Sequence, residues 1–169
     1  MASASPDRLR IAPATAQDVA VILRFIEKLA EYEKLSHECV ATEAALRKWL
    51  FGSHPMAEVL LAYWAAEPAG FALYFHNFST FLARPGIYLE DLFVEPAHRG
   101  KGIGKALLIR LAAIATERGC GRLEWSVLDW NKPSIEFYRK LGAVAKDEWT
   151  IFRLTGEALH NLAAAGGRP

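Results

Sequence analysis

The chain has 169 residues, 52% hydrophobic and 23% charged, with 20 Lys and Arg against 19 Asp and Glu for a formal net charge of +1. This length and apolar content predict one domain over residues 1–169, with tails at 1–7 and 165–169, and exclude a disordered chain or a stapled mini-protein. The charge balance argues against a protein that coats nucleic acid or an anionic membrane, so any charged site has to be local.

Along the chain, Arg8–Pro13 alternates as a short strand. Thr15 and Asp18 then set up a T-x-x-D helix start, and Val19, Ile22, Leu23, Ile26, Leu29 and Ala30 recur at helical intervals to about Lys34. A second helix is predicted over Thr42–Leu50, with a stop near Gly52. Met56–Ala65 and Phe71–Phe78 read as a hairpin turning around Pro68–Gly70, followed by a third strand over Gly86–Val94. A helix runs from Gly102 to a stop at Gly119. Next come a strand at 122–128, a helix at 133–141 ended by Gly142, a strand at 148–154 and a short helix at 155–164. The order predicts an α/β fold: a central mixed, mostly antiparallel sheet flanked by helices, with a right-handed parallel β-α-β crossover from 86 to 128. The opening MASASPDRLR lacks the apolar stretch of a signal peptide and no apolar 18-mer occurs, so the expectation is a cytoplasmic protein with no membrane partner. Cys39 and Cys120 are too few and too far apart for a disulfide scaffold or a CxxC site. His37, His54, His76, His98 and His160 show no ligand spacing, so no metal is expected.

The most specific local signal is a strand, Tyr88-Leu89-Glu90-Asp91-Leu92-Phe93-Val94, followed by Arg99-Gly100-Lys101-Gly102-Ile103-Gly104-Lys105 at the start of a helix. Glycines allow close backbone approach, and helix-terminal N–H groups beside Arg99, Lys101 and Lys105 make an anion site. A phosphate-bearing ligand is implied. The nucleotide P-loop needs one more residue between Gly100 and Gly104, and a hydroxyl where Ala106 stands. The dinucleotide fingerprint G-x-G-x-x-G is also missed, since this loop reads G-x-G-x-G; Glu124 lies at the right distance for its ribose acid but inside a strand.

The pattern that does fit is R-x-x-G-x-G, on Arg99, Gly102 and Gly104. Here the chain resembles the GNAT superfamily of acetyl-CoA-dependent N-acetyltransferases. LAEYEKL (29–35), YLEDLFVEPAHRGKGIGKALL (88–108) and VLDWNKPSIEFYRKLGA (127–143) resemble its diamine branch, which includes spermidine/spermine and thialysine acetyltransferases. The resemblance covers about residues 8–164. It implies a GNAT fold, acetyl-CoA as co-substrate with its diphosphate on Arg99–Lys105 and its pantetheine along Leu92, Phe93 and Val94, and a homodimer. The matching tyrosine, here Tyr138, is the family's general acid, and the matching Asn131 and Ser134 contact coenzyme A. Tyr32-Glu33 and Glu124-Trp125-Ser126 match amine-contacting positions. Where the branch has Glu-Glu-Gly-Trp, this chain reads Lys146-Asp147-Glu148-Trp149, a departure that weighs against polyamine specificity.

The chemistry asks for these residue types. An alkyl ammonium with a pKa of about 10.4 costs about 4.6 kcal/mol to neutralise at pH 7, at about 1.36 kcal/mol per unit. A base has to take its proton, and Glu90 is the leading candidate, a role the resemblance also gives it. Strand alternation puts Glu90 and Asp91 on opposite faces, so at most one points at the acetyl group; Asp91 is a candidate contact to the amine. The leaving thiolate departs more easily if a phenol protonates it, and Asn131, Ser134 and Tyr138 at i, i+3 and i+7 share one side of a helix. The expected activity is acetyl transfer to a primary amine of a small molecule in a ternary complex. The competing readings are a protein-lysine acetyltransferase and a non-catalytic acyl-CoA sensor.

Overall fold

In a computed structural model describing residues 8–166, the chain forms two units, one through Ser126 and the other from Val127. The predicted tail at 1–7 and residues 167–169 lie outside the described residues.

The first unit is built on a five-stranded sheet in the order β1-β2-β3-β4-β5. Its strands are β1 (Leu9–Pro13), β2 (Glu58–Trp64), β3 (Glu67–Ser79), β4 (Arg84–Val94) and β5 (Leu123–Trp125). The first three pairings are antiparallel and β4–β5 is parallel, as the element order predicts. Between β1 and β2 lie α1 (Val19–Tyr32) and α2 (Glu43–Phe51), and α3 (Ile103–Glu117) is the crossover from β4 to β5.

Thr15 and Asp18 do form a capping box, but it closes a single 3-10 turn over Ala16–Asp18 before α1 begins. The α1 stripe buries Val19, Ile22 and Phe25. Phe25 stacks on Phe71 with ring centroids 5.6 Å apart and lies 5.8 Å from Phe93, so one aromatic cluster bonds α1 to β3 and β4. On the opposite face, Ile103, Leu107, Leu111 and Ile114 of α3 are buried with Leu60, Ala62 and Ala72 of the sheet. Helices on both faces satisfy a sheet that is apolar on each side.

Two sequence expectations need correction in this unit. The β2–β3 hairpin turns at Ala65 and Ala66, with φ of 49° and 75°, and not at Pro68–Gly70. Pro68 sits inside β3 opposite Tyr63, where the register shifts and Ala69 is skipped. A ladder irregularity is where a strand tolerates the missing N–H of proline. The strand at 122–128 is also shorter, spanning only Leu123–Trp125.

The second unit holds α4 (Lys132–Lys140) and α5 (Gly156–Ala165). Ala165, expected in the tail, is instead the last residue of α5, and Gly166 is its cap. The strand expected at 148–154 does not form: Trp149, Ile151, Phe152 and Leu154 are exposed. An alternating segment becomes a strand only when another strand takes its hydrogen bonds, and this unit contains no other strand among the described residues. No described helix is long and apolar enough to cross a membrane.

Candidate active site

The site is organised by where β4 has neighbours. On one edge it pairs with β3 from Arg84 to Val94, but on the other it pairs with β5 only over Ile87–Leu89. Among the described residues no strand pairs with that second edge from Glu90 to Val94, and an unpaired strand edge is what an extended ligand pairs with.

β4 also carries a bulge at the same point. Leu73 stands opposite Asp91, and the next pair is Tyr74 with Leu89, so Glu90 has no partner in the ladder. Strict alternation therefore breaks here. Asp91 shares the α1 face with Leu73 and Phe93, which pack in or against the aromatic cluster, while Glu90 is exposed. Burial pushes the Asp91 carboxyl up to about 7, and the charges of Glu90 and Glu33 add to the shift. Burial likewise raises Glu33, the cap residue at the end of α1. Two of the predicted acids thus act on the third. Like charges in a poorly hydrated place disfavour full ionisation and favour an incoming cation.

Beyond β4 the chain enters the glycine loop. Gly100 and Gly102 have φ of 76° and 81°, the left-handed region that a side chain disfavours. Gly102 caps α3, and no side chain caps this helix, so the first-turn N–H groups at Ile103, Gly104 and Lys105 are directed at whatever lies beyond the helix. Gly104 is different: it is helical, and a Cβ there would meet only Val94 Cγ2 at 3.8 Å. Nothing in the fold requires glycine at that position, although glycine costs helix stability. Lys105 is exposed, and Lys101 donates to His98 Nδ1 at 3.0 Å. Arg99 Nε donates to the Val94 carbonyl at 3.1 Å, and its guanidinium lies over the Tyr32 ring. The loop thus combines an uncapped helix start with nearby cations, the features of an anion site.

Other predicted residues are placed differently. The Glu124 carboxylate ion-pairs with Arg122 at 2.8 Å and accepts from Asn77 Nδ2 at 3.0 Å, so partners from the fold already surround its charge. Ser126 shares a 2.7 Å hydrogen bond with the Tyr88 hydroxyl, and Trp125 is the last residue of β5. Asn131, Ser134 and Tyr138 belong to the second unit, where Asn131 is the buried N-cap of α4 and its side chain accepts from Ser134 N. Tyr138 is half-buried, with its ring 5.4 Å from that of Phe137.

Sequence reasoning missed the cleft beside the loop, about 390 Å³ in volume, lined by Lys28, Glu31, Tyr32, Phe93, Glu95, Pro96 and Arg99. Lys28 donates to Glu95 at 2.6 Å across it, a pairing 67 positions apart that no local pattern reveals. Among the described residues no cluster of His, Cys, Asp and Glu has the geometry to hold a metal ion.

Comparison with known proteins agrees with this architecture. The model of the Acetyltransferase (GNAT) family matches residues 23–143. Thialysine N-epsilon-acetyltransferase of Bos taurus is 41% identical over 157 residues, covering 86% of this chain and 92% of its own. L-ornithine N5-acetyltransferase of Arabidopsis thaliana is 35% identical, covering 90% and 87%. Among solved structures, an integron cassette protein of V. cholerae superposes with a TM-score of 0.78 at 29% identity, covering 92% of this chain and 98% of that one. An aminoglycoside acetyltransferase from a soil metagenome shares the fold, with a TM-score of 0.75 at 19% identity over 89% and 97% of the two chains. With a mixed sheet open at β4, a glycine-capped helix facing that opening, and a family match over most of its length, the chain belongs to the GNAT family and is an N-acetyltransferase.

Proposed function

We propose that this enzyme transfers the acetyl group of acetyl-CoA to a primary amine of a small molecule by direct attack in a ternary complex. One observation carries the reading: β4 holds the acids Glu90 and Asp91 in its bulge and ends at the cationic loop Arg99–Lys105. A single strand thus presents opposed charges to the two substrates, an ammonium and a diphosphate.

In this reading the pantetheine extends along the open edge at Leu92–Val94, and Gly100, Lys101, Gly102, Ile103 and Gly104 receive the diphosphate. Glu33 and Asp91 draw in the ammonium, and Tyr32 flanks it. Glu90 takes the ammonium proton through a water, and the free amine attacks the thioester carbonyl. A C–N bond forms, the C–S bond breaks, and Tyr138 protonates the departing thiolate. Asn131 and Ser134 are cofactor contacts, while Glu124, Trp125 and Ser126 are contacts to the amine.

The names of the relatives support a narrower substrate class. Thialysine and ornithine are both amino acids that end in a primary amine, and we place this chain's substrate in that class ahead of the polyamines. Coenzyme A release over thialysine, ornithine, lysine, putrescine, spermidine and a histone-tail peptide tests it. Fastest turnover on the first three supports the reading, and turnover of the peptide alone replaces it with protein acetylation. Coenzyme A binding without any acetylated product makes the chain a sensor. We place the enzyme in the cytoplasm as a homodimer; the exposed Phe78 and Phe81 at the β3–β4 tip support self-association, which sedimentation measures.

A further inference from the structure

Arg99 is the first cation the loop offers to an anion, and it is held from three directions. Its Nε donates to Val94 O at 3.1 Å. Its guanidinium carbon lies 4.8 Å from the Tyr32 ring centroid and 5.9 Å from that of Phe93. These contacts use Nε and the flat face of the group. Among the described residues no hydrogen bond takes up its terminal nitrogens, so the edge that binds phosphate in two-pronged fashion stays available.

Tyr32 is the last residue of α1, and Glu33, the next one, stands close enough to Asp91 for its charge to act on that carboxyl. One turn earlier Lys28 ties α1 to Glu95 at 2.6 Å, just past the end of β4. The end of α1 therefore touches the anion loop with one residue and the acid cluster with the next.

Resting on the functional reading above, we infer that Tyr32 is a positioning residue that couples the two substrates through Arg99. An amine seated against Glu33 and Asp91 orders the end of α1. That holds the Tyr32 ring beneath the guanidinium, and Arg99 meets the diphosphate with its free edge already aimed. By linkage the effect is mutual: coenzyme A tightens the amine by the same factor that the amine tightens coenzyme A. A half-exposed cation–aromatic contact sets the scale at roughly two- to fivefold.

Calorimetric titration of coenzyme A, with and without saturating thialysine, tests this on the full chain. In the unmodified protein thialysine lowers the coenzyme A Kd about two- to fivefold. Tyr32→Phe keeps the ring and retains both the affinity and the tightening. Tyr32→Leu weakens coenzyme A by a similar factor and abolishes the tightening. Arg99→Lys keeps the charge without a planar group, and it also loses the tightening. Tyr32 is exposed at the surface, and a thermal melt confirms that each variant is folded. Tightening that survives in Tyr32→Leu, or is lost in Tyr32→Phe, overturns the inference. A protein that binds coenzyme A with no tightening by thialysine overturns it as well, and leaves the acetyltransferase reading standing. A protein that binds no coenzyme A at all brings down both.

Discussion

Arg118, the cap residue after α3, holds Glu58 of β2 with both terminal guanidinium nitrogens, one at 2.8 Å and the other closer. Tyr74 donates to the same carboxylate at 3.1 Å, and its own phenol is pushed up to about 12 by burial and the Glu58 charge. The hydrogen bond from Arg118 holds Glu58 below the ordinary glutamate range. A depressed carboxyl pKa means stability that is present above the unfolded value and is lost as pH falls through the folded one. Glu58→Gln is therefore expected to lower stability at pH 7 by on the order of 1 kcal/mol, a figure kept small because both groups are partly exposed and screened. Thermal melts at pH 7 and pH 3.5 check it, since the gap between the proteins should narrow at the lower pH.

Asp91 shows the opposite sign. Its folded pKa of about 7 exceeds the unfolded value of 3.8, so the protonated form is favoured in the fold and stability declines as pH rises between the two. Asp91→Asn removes that loss. The variant should be more stable than the parent at pH 8, by at most about 4 kcal/mol, with the advantage vanishing near pH 4. The same change should raise the KM for the amine. It should also erase the inflection near pH 7 in the rate profile, above which the ionised Asp91 of the parent can receive an ammonium. A variant that is no more stable at pH 8 refutes the buried-acid account.

The contrast between these two acids shows which parts of the site the sequence could reveal. The glycine loop and α3 were readable because their signals are local: Gly102 caps the helix it precedes, and Leu107 and Leu111 follow at helical spacing. The bulge at Glu90 was not, because a bulge is a property of register, fixed by what stands opposite on β3. Alternation alone put Glu90 and Asp91 on opposite faces, but it could not show that the ladder skips Glu90. The turn at Ala65–Ala66 was missed because alanine carries no turn signal, whereas Pro68 and Gly70 carry a strong one. Glu58–Arg118 and Lys28–Glu95 join residues 60 and 67 positions apart, and only folding brings them together. At 148–154 the apolar pattern was real, but a pattern is not a partner strand.

Gly102 and Gly104 should respond to alanine with opposite signs, because only Gly102 has a positive φ. Gly102→Ala forces a side chain to φ of 81° with nothing within 4 Å, so its cost is conformational, about 1 kcal/mol of stability. Gly104→Ala sits in the first turn of a helix with ordinary contact to Val94, and it should stabilise the protein by a few tenths up to about 1 kcal/mol. A Cβ there makes only ordinary contact, so coenzyme A affinity should stay within about twofold of the parent. Melting temperature and coenzyme A Kd, measured on both variants, decide it. A tenfold loss of coenzyme A affinity in Gly104→Ala would show that the ligand comes closer to the helix than a methyl group allows.

Glu90 and Tyr138 are assigned to opposite ends of the proton's path, so their variants should fail differently. Glu90→Gln leaves an exposed polar group in the bulge, where no strand pairing depends on it, and should not affect folding. Without the base, the amine has to shed its proton to bulk water, and turnover should fall at least tenfold at pH 7. Raising the pH supplies free amine and should recover much of that loss. Tyr138→Phe keeps the ring and removes only the hydroxyl. Its turnover should also fall at least tenfold, but higher pH should not rescue it, because the missing step is protonation of the leaving thiolate. Both variants should bind coenzyme A within about twofold of the parent, since neither group is assigned to the diphosphate. Steady-state rates from pH 6 to 9.5, set beside coenzyme A titrations, make the comparison. Unchanged turnover in both variants would remove the acid–base assignment, and pH rescue of Tyr138→Phe would remove the phenol from the thiolate's path.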